Sequence, residues 1–175
     1  ARRMARIIKN LRAFARNESE PMGKVDVVAV LNSAVEMTEA RLKSDGVTLH
    51  WSPASWPAPI WVMGGEVRLG QVFVNLINNA ADAMSGQQVK VIEIKLVPGD
   101  RLEVRVQDSG PGIADPDKVF EPFYSTKQVG DGMGLGLSIS YGLVQSFGGR
   151  IRGTNTETGA LFSVELDYWR AEMAA

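Results

Sequence analysis

Two stretches of alternating apolar and polar residues constrain the fold of this chain more than any other feature. Residues 89–97 and 101–108 alternate with period two about a Pro-Gly-Asp turn, which predicts a β-hairpin with one buried face. Helical periodicity over residues 27–44, over 66–84 and again up to about 146 supplies elements that can cover that face. We therefore predict an α+β fold, a two-layer α/β sandwich in which helices back a mostly antiparallel sheet. Further short strands are predicted at residues 47–51, 60–63, 150–155 and 161–167.

A separate amphipathic helix is predicted at the start of the sequence. Apolar residues recur at three- and four-residue spacing over residues 4–15, and Pro21 is among the residues that end the pattern. A helix with one apolar stripe is expected to pack on a partner helix or a second subunit. We divide the chain into this helix, residues 1–22, and a domain of residues 23–175. Residues 1–24 carry seven basic and two acidic side chains, which we interpret as a solvated face rather than a nucleic-acid or lipid contact.

The composition limits the available chemistry. The chain has no cysteine and one histidine, His50. Thiol nucleophiles, disulfides, thiolate zinc sites and multi-histidine metal clusters are therefore excluded. No apolar run approaches the length of a membrane span, and no signal-peptide pattern occurs. Any chemistry must use carboxylates, amides, backbone N–H groups and an oxygen-bound metal.

The helix predicted at residues 66–84 has a polar stripe opposite its apolar face. Asparagine is a poor residue for a helix interior, yet Asn75, Asn78 and Asn79 lie within five positions, with Asp82 on the same side. An amide oxygen is a hard, neutral ligand that suits Mg²⁺, which takes its other ligands from water and phosphates. A solvated polar face is the alternative interpretation.

Two further features follow the hairpin. Asp108 falls in phase with the buried residues of its strand and precedes a Gly-Pro-Gly turn, so its carboxylate caps the turn or accepts a ligand amine. The glycines of residues 130–136 precede a helix, where backbone N–H groups can approach phosphate oxygens. Between them, residues 113–133 form a long loop, interpreted as a lid, in which Lys127 is a mobile cation. Together these features predict a nucleotide site.

Five motifs carry a resemblance to a known family. The boxes of sensor histidine kinases are similar to five segments of this chain, in register over about residues 24–168: NLINNAADAM, DSGPGI, FEPFYSTK, GMGLGLSIS and GALFSVEL. Within that family the chain most resembles the sensors of dicarboxylate transport and, next, those of nitrogen regulation. The resemblance implies the Bergerat ATP-binding fold with a mixed sheet, and residues 1–22 resemble the end of the dimerisation and phosphoacceptor hairpin. It implies ATP and Mg²⁺ as cofactors, with Asn79 as the metal ligand and with Asn75 and Lys127 as catalytic residues.

The resemblance assigns each box a place around ATP. Asp108 would bind the adenine amino group, Phe120 and Phe123 would anchor the lid, and the glycine-rich loop would bind the phosphates. The residues assigned to the ATP site are Asn75, Asn79, Asp82, Ala83, Asp108, Gly110, Gly112, Ile113, Lys127, Gly132, Met133, Gly134, Leu135, Gly136 and Leu137.

The chain departs from the family pattern at three places. Asp82 stands where a basic residue is common and Ala83 where an aromatic residue is common. The phosphates would then depend more on Lys127 and the glycine loop, and the adenine wall would come from elsewhere, such as Ile113. Ala160 replaces a common threonine, so a water-bridged threonine contact is not expected.

The chemistry predicted from these residues is transfer of the ATP γ-phosphate to a histidine. Related ATPases use a glutamate to activate water, and here that position is Asn75, which cannot take a proton at neutral pH. His50 is interpreted as a structural or surface residue, so the acceptor is expected on a helix upstream of residue 1. A Bergerat-fold ATPase, a serine protein kinase and a non-catalytic nucleotide-sensing domain are the alternatives.

The resemblance also implies partners and a location. The expected partners are ATP, the upstream phosphoacceptor helix, the receiver domain of a response regulator and, in the full-length protein, a second copy in a homodimer. No nucleic acid is expected. The chain is interpreted as the cytoplasmic portion of an inner-membrane sensor protein.

Overall fold

The computed structural model describes residues 20–122, 124 and 136–174. The predicted helix of residues 1–22 therefore lies outside the described residues, apart from its last three, which are not helical. In chain order the elements are β1 (Gly23–Asp26), α1 (Val27–Asp45), β2 (Thr48–His50), β3 (Trp61–Gly64), α2 (Glu66–Ala83), β4 (Val91–Val97), β5 (Leu102–Asp108), α3 (Gly136–Ser146), β6 (Arg150–Asn155) and β7 (Ala160–Leu166), with short 3₁₀ turns at Pro53–Ser55 and Ala171–Ala174.

The main sheet is mixed, with five strands in the order β2-β4-β5-β7-β6. Strand β2 runs parallel to β4, and the other neighbouring strands are antiparallel. The predicted hairpin is the β4–β5 pair, in which Ile92 lies opposite Asp108. This arrangement confirms the predicted α+β sandwich and places Asp108 in the middle strand, at its end.

A second, two-stranded sheet was not predicted. Strand β1 pairs antiparallel with β3, with Val25 opposite Val62. Four residues without clear alternation carry no strand signal of their own, so β1 depends on its partner. The amide of Met63 donates to the carbonyl of Asp167 at 2.8 Å, which attaches this small sheet to the end of β7.

The three helices cover one face of the main sheet. The alternating residues of the central strands, including Val104, Val106 and Val164, are buried beneath the apolar stripe of α2. The opposite face carries exposed pairs such as Glu103 and Arg105, whose side chains are 2.8 Å apart. The fold is therefore two layers deep, and the polar stripe of α2 is left at the edge of the helical layer.

Helix α1 is capped at both ends by the residues that precede and follow it. Asp26 accepts the amide of Val28 at 3.1 Å through its side chain, and it also accepts the amide of Ile60 at 3.2 Å. Gly46, with φ of 71°, ends the helix in the left-handed conformation that favours glycine. The end of α1 lies beside α2, since Arg41 contacts Asp82 and the carbonyl of Asn78.

A buried charged contact joins the start of the domain to α2 and α3. Arg68 is 4% exposed, and its guanidinium donates to the backbone oxygen of Glu20 at 2.6 Å and to Oγ of Ser146 at 3.3 Å. The carboxylate of Glu20 accepts the amides of Val67 and Arg68 in the first turn of α2, where the helix dipole favours an anion. Nε of Arg68 faces that carboxylate at 3.5 Å. We refer to this arrangement as the Glu20–Arg68 contact.

Candidate functional site

A cavity of about 820 Å³ opens between α2 and the turn that follows β5. Its wall includes Asn79, Asp82 and Ala83 from α2, Asp108 from β5, and Ile113. This volume is within the range of small-molecule and cofactor sites. The other lining residues include members of the remaining three motifs, so residues from all five motifs meet at one cavity.

Asp108 is the buried anion of the cavity. Asp108 is only 3% exposed, and its Oδ1 accepts the backbone amides of Gly110 at 2.9 Å and Ala160 at 3.2 Å. Among the described residues none donates to Oδ2. Burial raises the pKa of Asp108 above its ordinary value, and the two backbone hydrogen bonds oppose that rise. The predicted turn cap is therefore present at Oδ1, and the role of Oδ2 as acceptor for a ligand amine stays a prediction.

The turn after β5 is held by an asparagine that the sequence reasoning missed. Asn155, at the end of β6, accepts the amide of Ile113 at 2.6 Å and donates to its carbonyl at 3.0 Å. Gly112 has φ of 90°, and a Cβ there would lie 2.8 Å from Oδ1 of Asn155. Asn155 is 42 residues from Ile113 in the chain, so no local pattern could have indicated this pairing. The pairing fixes the backbone where Ile113 forms the cavity wall.

Asn75 is tied to the start of α3 rather than pointing freely into the cavity. Its Nδ2 lies 3.4 Å from the carbonyl of Gly136 and 3.3 Å from Oγ of Ser140, a serine with no exposed surface. Ser140 in turn donates to the same Gly136 carbonyl at 2.9 Å. Leu137, one residue into α3, lines the cavity. Asn75 therefore connects α2 to the helix that follows the glycine-rich loop.

Asp82 does not face the cavity as an isolated carboxylate. Nη2 of Arg41, from α1, forms an ion pair with Oδ1 of Asp82, and both residues line the cavity. Arg41 was not predicted, because it is 41 residues away and its spacing to Asp45 is that of an ordinary exposed helix pair. Ala83, next to Asp82, leaves this part of the wall without an aromatic ring.

The described part of the predicted lid is attached to the sheet. Val119 is buried, and the ring of Phe120 lies 5.6 Å from that of Tyr141 and 6.1 Å from that of Phe162, centroid to centroid. Phe120 thus packs this part of the loop against α3 and β7, and the interpretation of the loop as a lid stays a prediction. The other predicted loop residues, Phe123, Lys127, Gly132, Met133, Gly134 and Leu135, lie outside the described residues.

His50 lies away from this site. It is exposed on the edge strand β2, opposite Glu93, and it is not part of the cavity wall. Within the described ranges, no three histidine, cysteine, aspartate or glutamate side chains form a cluster that could hold a metal ion.

The family described as histidine kinase-, DNA gyrase B-, and HSP90-like ATPase matches residues 64–170. The chain belongs to this ATPase family. The match spans α2, the turn after β5, and the closing strand β7, which together build the cavity.

Sensor kinases stand among the relatives of this ATPase domain. The C4-dicarboxylate transport sensor protein DctB of Pseudomonas aeruginosa is 34% identical over 171 residues, which cover 94% of this chain and 27% of that protein. Full-length ShkA in complex with AMPPNP is 27% identical with a TM-score of 0.73, covering 97% of this chain and 36% of that one. Histidine kinase ThkA in complex with the response regulator TrrA shares the fold, with a TM-score of 0.74 at 22% identity over 95% of this chain and 48% of that one.

These likenesses confirm the Bergerat fold. The chain is an ATP-binding catalytic domain of the sensor-histidine-kinase type, and it spans less than half the length of each protein compared above. In the part of the chain that the structure describes, no helix is both long enough and apolar enough to cross a bilayer.

Proposed function

We propose that this domain binds ATP with Mg²⁺ in the cavity and transfers the γ-phosphate to a histidine on an upstream helix. The imidazole nitrogen attacks the γ-phosphorus, the bond to the β–γ bridging oxygen breaks, and ADP leaves. The phosphate then passes to an aspartate of a response-regulator receiver domain. The likeness to the sensor protein DctB supports the transfer, and the complex of the fold relative ThkA with TrrA supports the relay.

Different cavity residues bind different parts of the nucleotide. Oδ2 of Asp108 accepts the adenine amino group, and Ile113, fixed by Asn155, contacts the ring. Asn79 offers a neutral amide oxygen on a rigid helix, which fits Mg²⁺, an ion that needs few protein ligands when phosphates supply the rest. When bound, Mg²⁺ would neutralise part of the negative charge of the phosphates. Lys127 and the glycines at 132, 134 and 136 contact the phosphates.

The observation that favours phosphate transfer over ATP hydrolysis is the chemistry and the hydrogen bonding of Asn75. It stands one turn before Asn79, and its amide nitrogen is engaged with Gly136 and Ser140. An amide cannot accept a proton from water at neutral pH, so this position supplies no general base. Water is therefore a poor acceptor here, and a positioned imidazole is a better nucleophile.

The transfer is tested with γ-labelled ATP and Mg²⁺. The full-length protein should acquire acid-labile, alkali-stable phosphate, as expected for phosphohistidine, while the chain of residues 1–175 should remain unlabelled. A His50→Gln variant of the full-length protein serves as the matched control and should label normally. Stoichiometric labelling of His50 in the isolated chain would contradict the proposal.

The missing base is tested by substitution at Asn75. Asn75→Glu introduces a carboxylate at the position from which water could be activated, and ATP hydrolysis should rise. Asn75→Gln keeps the amide and the added length, so it should hydrolyse ATP no faster than the parent. Equal rates in the two variants would argue against the assignment of Asn75.

The remaining parts of the proposal concern the whole protein. We propose that residues 1–22 continue a dimerisation hairpin, that the full-length protein is a homodimer, and that this domain lies on the cytoplasmic side of an inner-membrane sensor. The match to DctB over residues on both sides of position 22 supports this arrangement. Cross-linking of the full-length protein in membranes measures the dimer directly.

A further inference from the structure

The wall of the cavity contains a cation that comes from outside the family motifs. Arg41 belongs to α1, yet its guanidinium reaches three acceptors near the site: Asp82 through Nη2, Asp45 through Nε at 3.3 Å, and the carbonyl of Asn78 through Nη1 at 3.5 Å. The side chain remains 38% exposed and lines the cavity. Arg41 is thus held in one orientation while part of its surface stays open to a ligand.

The position of the guanidinium along α2 matters. Asn78 and Asp82 are one turn apart and lie on either side of Asn79 in the sequence, so Arg41 lies along the helix face beside the proposed metal ligand. A guanidinium carries five N–H donors, and the three contacts named above use three of them. Two N–H groups therefore have no acceptor among the described residues.

Helix α2 offers no other positive charge to an anion in this cavity. Its only basic residue, Arg68, is buried in the Glu20–Arg68 contact. Among the described residues that line the cavity, Lys90 is the second cation, and its ammonium donates to the carbonyl of Asp45 at 2.9 Å. A phosphate chain beside Asn79 would otherwise meet the carboxylate of Asp82.

We propose that Arg41 binds the ATP phosphates directly and that Asp82 is the residue that positions it. Asp82 fixes one edge of the guanidinium, and the remaining N–H groups donate to phosphate oxygens. Hydrogen bonds and attraction to Asp82 and Asp45 outweigh the effect of partial burial and raise the pKa of Arg41, so the group stays charged throughout. This inference rests on the proposed ATP site and adds a residue from α1 to it.

The test compares the affinities of ATP, ADP and adenosine by calorimetry. Arg41→Met removes the charge but keeps the stem, and it should weaken ATP binding by about ten- to 150-fold, the range for hydrogen bonds to charged groups. Adenosine affinity should change less than twofold. Arg41→Lys should recover part of the ATP affinity. The matched control, Arg105→Met on the open face of the sheet, should bind all three ligands as the parent does.

A double variant separates direct contact from simple neutralisation of Asp82. If Arg41 only masks that carboxylate, Arg41→Met combined with Asp82→Asn should restore the parent's ATP affinity, and that result would overturn the proposal. An equal loss of adenosine and ATP affinity would also overturn it, because the effect would then lie on the ribose or on the fold. If the parent chain itself does not bind ATP, then the proposed function is wrong, and the inference about Arg41 fails with it.

Discussion

Asp108→Asn separates the role of this residue in the ligand site from its role in the fold. In the parent, Oδ1 accepts the two backbone amides of Gly110 and Ala160, and Oδ2 is left for the ligand. Asparagine has one oxygen, which must stay with the two amides. Its nitrogen then occupies the place of Oδ2 and presents a donor to the adenine amino group, which is also a donor.

The size of the effect follows from this geometry. One hydrogen bond to a charged group is lost, which costs about 1.5–3 kcal/mol, or roughly ten- to 150-fold in dissociation constant. Because two donors now face each other in a buried place, we expect the upper part of that range. Guanine carries an acceptor where adenine carries the amino group, so the preference for ATP over GTP should fall in the same variant.

Titration calorimetry of ATP and GTP measures both effects. The control is Asp100→Asn, an exposed substitution in the β4–β5 turn, which should leave both affinities unchanged. Because burial raises the pKa of Asp108, the ionised carboxylate opposes folding at neutral pH, and the thermal midpoint of the ligand-free variant should not fall. Unchanged ATP affinity together with a lower midpoint would refute the assignment and leave Asp108 as a structural residue.

Two further predictions concern the same corner of the site. A Cβ at Gly159 would collide with the backbone oxygen of Asp108, so Gly159→Ala should destabilise the domain by about 1–3 kcal/mol in chemical denaturation, while Gly23→Ala, with open space around the added atom, should be near neutral. Because the pKa of Asp108 is raised in the folded domain, its contribution to the stability of the ligand-free domain is fully present below the ordinary carboxyl pKa and is lost as pH rises through the raised value. Adenosine affinity should move the opposite way, weakening as pH falls through the raised pKa, and a flat profile from neutral pH down to that value would contradict the assignment.

Local patterns predicted the parts of the structure that local physics determines. Period-two alternation predicted β4 and β5 and the burial of Asp108, because the pleat alone decides which side chains face the core. The apolar stripe of α2 was predicted in the same way. The four residues of β1 were missed because their strand exists only through pairing with β3.

The contacts that complete the site were beyond such reasoning. Arg41 meets Asp82, and Asn155 meets Ile113, across 41 and 42 residues of chain. The local sequence around each residue indicates only an ordinary structural role: Arg41 forms an exposed helix pair with Asp45, and Asn155 ends a strand. Only the packing of α1 on α2 and of β6 beside β7 brings these residues to the cavity. The nucleotide-binding roles assigned to the site residues, including Lys127 and the glycines at 132 and 134, stay predictions.

The Glu20–Arg68 contact has a mechanical consequence for the cavity. Glu20 is bonded to the first turn of α2, and Arg68 extends the connection to Ser146 at the far end of α3, so a pull on the chain at Glu20 acts on both helices. From Arg68 to Asn79 the axis of α2 is a rigid arm of about 16 Å. A rotation of roughly 5° at the Arg68 end would carry Asn79 through about 1.4 Å, a displacement that on its own is enough to slow a positioned phosphate transfer about a hundredfold. A force applied to the chain at Glu20 would therefore change the alignment of the site through the orientation of α2.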